Sequence, residues 1–184
     1  MQEIWSVWEL MGATNGATRG VLKKRVEGLD NRGWKLELNV ACVGNDGHWP
    51  ANMAFWKVPD RAALTRWLNA GLDDGLDETG LSWGKSRLYQ HLHGKIDPAH
   101  RAFMLEYIVA DDARALAALG ASTGADLVLS ELLAPWQGLA VWGSRDLHQA
   151  ARRDLEGSTG AGKKPGIRQA AGWWAVIPAE RDMV

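Results

Sequence analysis

The chain has 184 residues, 46% of them hydrophobic and 23% charged, with a formal net charge of −1. That balance fits an ordinary globular protein of one large or two small domains, and it excludes a bulk basic field that would gather nucleic acid or anionic lipid. A single cysteine excludes an internal disulfide and is expected in a reducing cytoplasm, while eleven tryptophans beside two Tyr and two Phe point to wide, flat apolar walls.

Residues 4–10 are rich in Trp and Val and read as a first strand. Thr18 caps an expected helix to about Asp30, with Val21, Leu22, Val26 and Leu29 at helical spacing. From residue 34 the pattern alternates. Trp34, Leu36, Leu38, Val40 and Cys42 are expected on one face, and Lys35, Glu37, Asn39 and Ala41 on the other. Cys42 thereby reads as inert core packing. Gly44 to Gly47 form a turn, and residues 52–58 form a short strand. Asp60 then caps a helix with Leu64, Trp67, Leu68 and Leu72 on its apolar stripe. A loop follows, and residues 82–95 close the first half as a long strand. No N-terminal targeting segment and no membrane-spanning run is expected.

The order then repeats. Residues 102–109 read as a strand, Asp111 or Asp112 caps a helix ending at Gly120, and residues 126–133 form the next strand. Pro135 and Gly138 break the pattern before a strand at 139–142. Ser144 is expected to cap a helix carrying Leu147, Ala151 and Leu155, and residues 167–177 form the last strand. Glu9 parallels Glu106 and Glu37 parallels Glu131, which reads as a duplication. The expected domains are residues 1–96 and 97–184, each a βαββαβ unit.

The run Ala54, Phe55, Trp56, Lys57, Val58, Pro59, Asp60, followed by Arg61, Ala62, Ala63 and Leu64, resembles the dimeric α+β barrel superfamily of ferredoxin-like units. There a third strand ending in an aromatic leads through a polar turn into a helix, and residues 138–147 carry a weaker copy. The resemblance implies an α+β fold, two tandem ferredoxin-like units forming an intrachain dimeric α+β barrel. It covers antibiotic-biosynthesis monooxygenases, muconolactone isomerases and haem enzymes, so it does not fix one reaction. In the cofactor-free oxygenases of this fold, Asn and Trp near the substrate activate a phenol-like ligand. The resemblance implies that role for Asn52 and Trp56.

The residues offer a polar constellation. Tyr89, His91, His93 and Lys95 alternate along one strand and are expected on one side. A buried Glu beside Trp can have its pKa raised toward that of a general base. His91, His93 and Glu37 are therefore the catalytic candidates, and Asn39, Asn52, Trp56, Trp8, Tyr89 and Glu106 the substrate-binding ones. The leading expectation is a small enzyme for a hydrophobic or aromatic molecule, performing oxygenation, isomerisation or cyclisation without a cofactor. Two alternatives stand beside it. One is a haem or divalent-metal enzyme, with His91-x-His93 plus Glu37 or Glu9 as metal ligands, or an axial His among His91, His93, His100 and His148. The other is a non-catalytic small-molecule binder. The expected partners are the small molecule and a second copy of the chain, with neither nucleic acid nor membrane. The run Gly157 to Lys164 nearly spells a phosphate loop. It has Lys164 where Ser or Thr should stand, Pro165 where a helix should start and a helix before it, so it reads as a plain loop.

Overall fold

β-branched and aromatic residues in short runs, separated by Gly, Pro and Asp, give eight strands among the described residues: β1 Ile4–Met11, β2 Lys35–Cys42, β3 Asn52–Val58, β4 Ser82–Gly94, β5 Ala102–Ala110, β6 Leu127–Glu131, β7 Gln137–Ser144 and β8 Ile167–Val176. Helices α1 Arg61–Ala70 and α2 Ala113–Thr123 lie among the described residues. The computed structural model describes residues 3–11, 33–42, 52–70, 82–146, 148–149, 152 and 159–177. The expected helix from Thr18, the turn at Gly44 and the stripe residues Leu147, Ala151 and Leu155 lie outside them. Among the described residues no helix is long and apolar enough to cross a membrane.

The chain divides into two compact units, one from Glu3 to Arg87 and one from Leu88 to Ile177 among the described residues, with β4 running across the division. In the first, β3 is the middle strand and pairs antiparallel with β1 and β2. In the second, the order is β8, β5, β7, β6 and then the end of β4, all antiparallel. Middle strand for middle strand, β7 repeats what β3 does.

Caps set the helix starts. Asp60 Oδ1 accepts the Ala63 N–H at 2.6 Å, and Asp112 Oδ1 accepts those of Arg114 and Ala115 at 2.9 Å each. Asp111 instead pairs with Arg168. The α2 helix does not stop at Gly120. It continues to Thr123, and Gly124 closes it in the left-handed region at φ 68°. Ser144 is not a cap either. It is buried at the end of β7, and Asp146 Oδ1 accepts the Gln149 N–H at 2.8 Å. Gly138 lies inside β7, because α2 packs on it where a side chain would meet Leu116 at 3.1 Å. Ala161–Lys163 is a single 3-10 turn, and Lys164 Nζ donates to the Ser122 carbonyl at 3.0 Å.

Two β-bulges correct the expected alternation. In β2, Leu36 pairs with Trp56 but Leu38 pairs with Phe55, so Glu37 is the extra residue. Facing residues share a side, so the phase flips at Glu37. Leu36, Asn39 and Ala41 lie on the face of Trp56, while Lys35, Leu38 and Val40 lie on the face of Phe55. In β4, His91 pairs with Leu129 and His93 with Val128, so these histidines point to opposite faces of the sheet.

The second unit's core shows which face is which. Leu116 and Leu119 of α2 pack with Ile108, Val128, Ala140 and Trp142, all buried. That helix-covered face therefore holds Met104, Glu106, Ile108 and Ala110 of β5. The opposite face holds Phe103, Leu105, Leu129, Leu139 and Val141, each fully buried.

Candidate functional site

In the first unit the register gathers four expected ligand-binding residues on one face. Trp8 faces Ala54 across β1 and β3, Asn39 faces Ala54 across β2 and β3, and Asn52 and Trp56 stand two residues either side of Ala54. Trp34 completes the wall. The Trp8 ring centroid lies 5.4 Å from Trp56 and 6.4 Å from Trp34. The Trp8 indole N–H donates to Ser6 Oγ at 2.9 Å. Among the described residues the Trp56 indole N–H has no acceptor, although the residue is 1% exposed, and the buried Asn39 Oδ1 has no donor. Each such orphan costs on the order of 1–3 kcal/mol unless something satisfies it.

Glu37 lies elsewhere, among charges at one end of the sheet. Lys35 and Lys57 stand directly opposite each other, which alone is unfavourable. Glu37 Oε1 lies 2.8 Å from Lys35 Nζ and 3.4 Å from Lys57 Nζ. Glu3 extends the cluster, 3.3 Å from Lys57 Nζ and accepting the Trp5 indole N–H at 2.7 Å. Burial pushes the Glu37 carboxyl up, but the Lys35 hydrogen bond and the two lysine charges outweigh it and hold it below its ordinary value. A general base needs the opposite shift. Glu9 is buried opposite Met53, and Cys42 is only partly buried at the end of β2.

In the second unit, Tyr89 is buried and shares a face with His91, opposite Glu131 and Leu129 respectively. His91 Nε2 lies 2.7 Å from the Gly94 carbonyl oxygen. His93 lies on the helix-covered face, seated against Gly120. A side chain there would come within 2.4 Å of the imidazole. Because His91 and His93 part at the bulge, they do not form the expected same-face ligand pair. Lys95 falls beyond β4 and is exposed.

Glu106 is the buried carboxyl that the sequence placed among binding residues without a distinct role. It shares the helix-covered face with Trp142, and both are nearly inaccessible. Thr159 Oγ1 donates to Glu106 Oε1 at 2.7 Å, while Glu106 Oε2 and the Trp142 indole N–H have no hydrogen-bond partner among the described residues. Burial raises the Glu106 pKa and the Thr159 hydrogen bond only partly opposes this. Pairing with β3 and β7 also moves the internal match. Trp56 faces Ser6 and Trp142 faces Met104, so Glu106 corresponds to Trp8, not to Glu9. Trp142 was missed by the sequence reading, although its likeness to Trp56 was the signal that could have found it.

His100 forms a separate clamp. Its Nδ1 lies 2.8 Å from Asp126 Oδ2, which also accepts the Gly143 N–H at 2.7 Å, and its Nε2 lies 3.9 Å from Asp97.

No family model matches this chain. No curated protein matches it either. Solved structures do. Chlorite dismutase from Candidatus Nitrospira defluvii in complex with imidazole is 11% identical, covering 98% of this chain and 93% of that one at a TM-score of 0.61. A cyanide-bound variant of the same enzyme gives 12%, 98%, 92% and 0.59. A chlorite dismutase-like protein gives 9% identity, 100% and 98% coverage and 0.63. The fold class is thereby the expected one: α+β, tandem ferredoxin-like units of the dimeric α+β barrel type. The expected chemistry is corrected. The likeness is to chlorite dismutases, and it gives no support to a cofactor-free oxygenase, isomerase or cyclase.

Proposed function

We propose that this chain is a haem-dependent enzyme, with the haem carried by its second unit. The whole-length likeness to chlorite dismutases supports the reading, and the donor chemistry of the second unit is consistent with it. All four histidines of that unit are described. His100 is engaged by acidic side chains, His91 Nε2 by a carbonyl, and His148 is exposed. His93 is partly buried on the helix-covered face and makes no hydrogen bond to the described residues. It is the imidazole left for iron. Glu106 Oε2 and the Trp142 N–H, on the same face and without hydrogen-bond partners among the described residues, would meet polar substituents of the group.

Bound haem supplies redox chemistry at the iron. The chain's own contributions are narrower. Gly120 lets the helix rest on the His93 ring and so presets its orientation. Burial of Glu106 favours its protonated form, so it can hold and pass a proton at Oε2.

Titration of purified protein with haemin tests this. A saturable Soret band is expected, displaced or lost in His93→Ala. Failure of the wild type to saturate, or identical spectra and affinity in His93→Ala, would overturn the proposal.

A further inference from the structure

We infer that the loop between β6 and β7, residues 132–136, seats the second unit on a lipid surface by inserting Leu133 and Trp136 among the headgroups of a zwitterionic bilayer. Among the described residues the exposed large hydrophobic side chains are Leu132 at 38%, Leu133 at 88% and Trp136 at 47%, and all of them fall in this loop. Scattered exposed apolar side chains are ordinary, whereas a cluster marks a surface that meets something apolar. No charged residue occurs from position 132 to 144, so nothing in the loop opposes transfer out of water.

The loop's backbone is largely paired within the protein. The Ala134 carbonyl accepts the Gln137 N–H at 2.7 Å, the Pro135 carbonyl accepts the Ser130 hydroxyl at 3.1 Å, and the Trp136 carbonyl accepts the Ala110 N–H at 2.7 Å. The Leu132 N–H donates to the Leu88 carbonyl at 2.8 Å, and proline has no N–H to satisfy. Internal pairing of backbone groups is what a lipid phase demands. The same bonds hold the loop in one shape, so little conformational freedom is lost on contact.

Size and charge select the occupant. Three side chains fall far short of the about 800 Å² that each partner buries in a stable protein interface. A bilayer sets no such minimum, because each inserted methylene contributes by itself. An indole, apolar in body with one N–H, suits the headgroup level. Beside the loop, Asp111 follows Ala110 and is paired with Arg168, which adds no net charge there. The chain's net charge of −1 gives no long-range pull toward anionic lipid, so a zwitterionic surface is the one that fits.

Co-sedimentation of the full chain with phosphatidylcholine vesicles tests this. Saturable binding is expected, and it should persist in about 1 M salt, where charge attraction is screened. Leu133→Ser and Trp136→Ser should each weaken partitioning about tenfold, the scale of removing several inserted carbons, while Leu133→Met should retain it. Leu133 is largely exposed, so its variants keep the fold, which circular dichroism verifies. Analytical ultracentrifugation without vesicles separates lipid binding from self-association, and the wild type and Leu133→Ser should sediment alike. No vesicle binding, wild-type partitioning in Leu133→Ser, release by high salt, or self-association that Leu133→Ser abolishes would overturn the inference.

Discussion

At Gly120, helix propensity and packing pull in opposite directions. Replacing a mid-helix glycine by alanine ordinarily gains up to about 1 kcal/mol. Here the added methyl would meet the His93 ring at 2.4 Å. Packing wins, so Gly120→Ala should lose about 1–3 kcal/mol in urea denaturation, and His93→Ala in the same chain should recover much of it. The two perturbed glutamates make opposite pH predictions. Glu106 is raised above its ordinary 4.5, so its stabilising contribution is complete below the unfolded value and is lost as pH rises through the folded one. Glu37 is lowered, so its contribution is present above 4.5 and is lost as pH falls through the folded value. Denaturation at stepped pH should show Glu106→Gln gaining on the wild type as pH climbs, and the Glu37→Gln penalty fading as pH drops. That penalty should stay within about 1 kcal/mol, because Lys35 is largely exposed. Glu37 was legible as a polar strand residue, but Lys57, which helps hold its charge, comes from another strand that local spacing does not reveal.

The strands were largely legible, because alternation and turn residues are local signals. Residues 52–58 and 82–94 form strands where expected. What stayed hidden was phase. A bulge inserts one residue without changing composition, so Asn39 reached the tryptophan face and His91 left His93 without any mark in the pattern. Caps were better signalled, since Asp before an apolar helix has a local hydrogen-bonding reason to be there. Asp112→Ala should cost about 1 kcal/mol, read as a lowered denaturation midpoint with unchanged slope. The end of α2 was misplaced because Gly120 looked like a stop signal, when its role is close approach to a ring from another element.

For the molecule as a whole, the order of elements carried the fold class, because βαββαβ repeated twice admits few arrangements of antiparallel sheet. The chemistry did not follow from that order. One fold hosts many reactions, and neither element order nor alternation distinguishes a cofactor-free reaction from a haem-dependent one. Haem, if carried as proposed, binds the folded state and should raise the thermal midpoint as its concentration rises above the dissociation constant, an effect absent in His93→Ala. With a net charge of −1, long-range attraction contributes little to any ligand's approach. Selection among ligands therefore rests on local shape and on the unsatisfied polar atoms.

Chain length and charge are coupled in one place. Were Glu37 absent, Lys35, Leu36, Leu38 and Asn39 would alternate without interruption and every later side chain would keep its present side. The strand thus tolerates loss of that residue as geometry while losing the carboxylate that bridges two facing lysines. A single-codon deletion there would amount to an electrostatic lesion and leave the frame of the sheet intact.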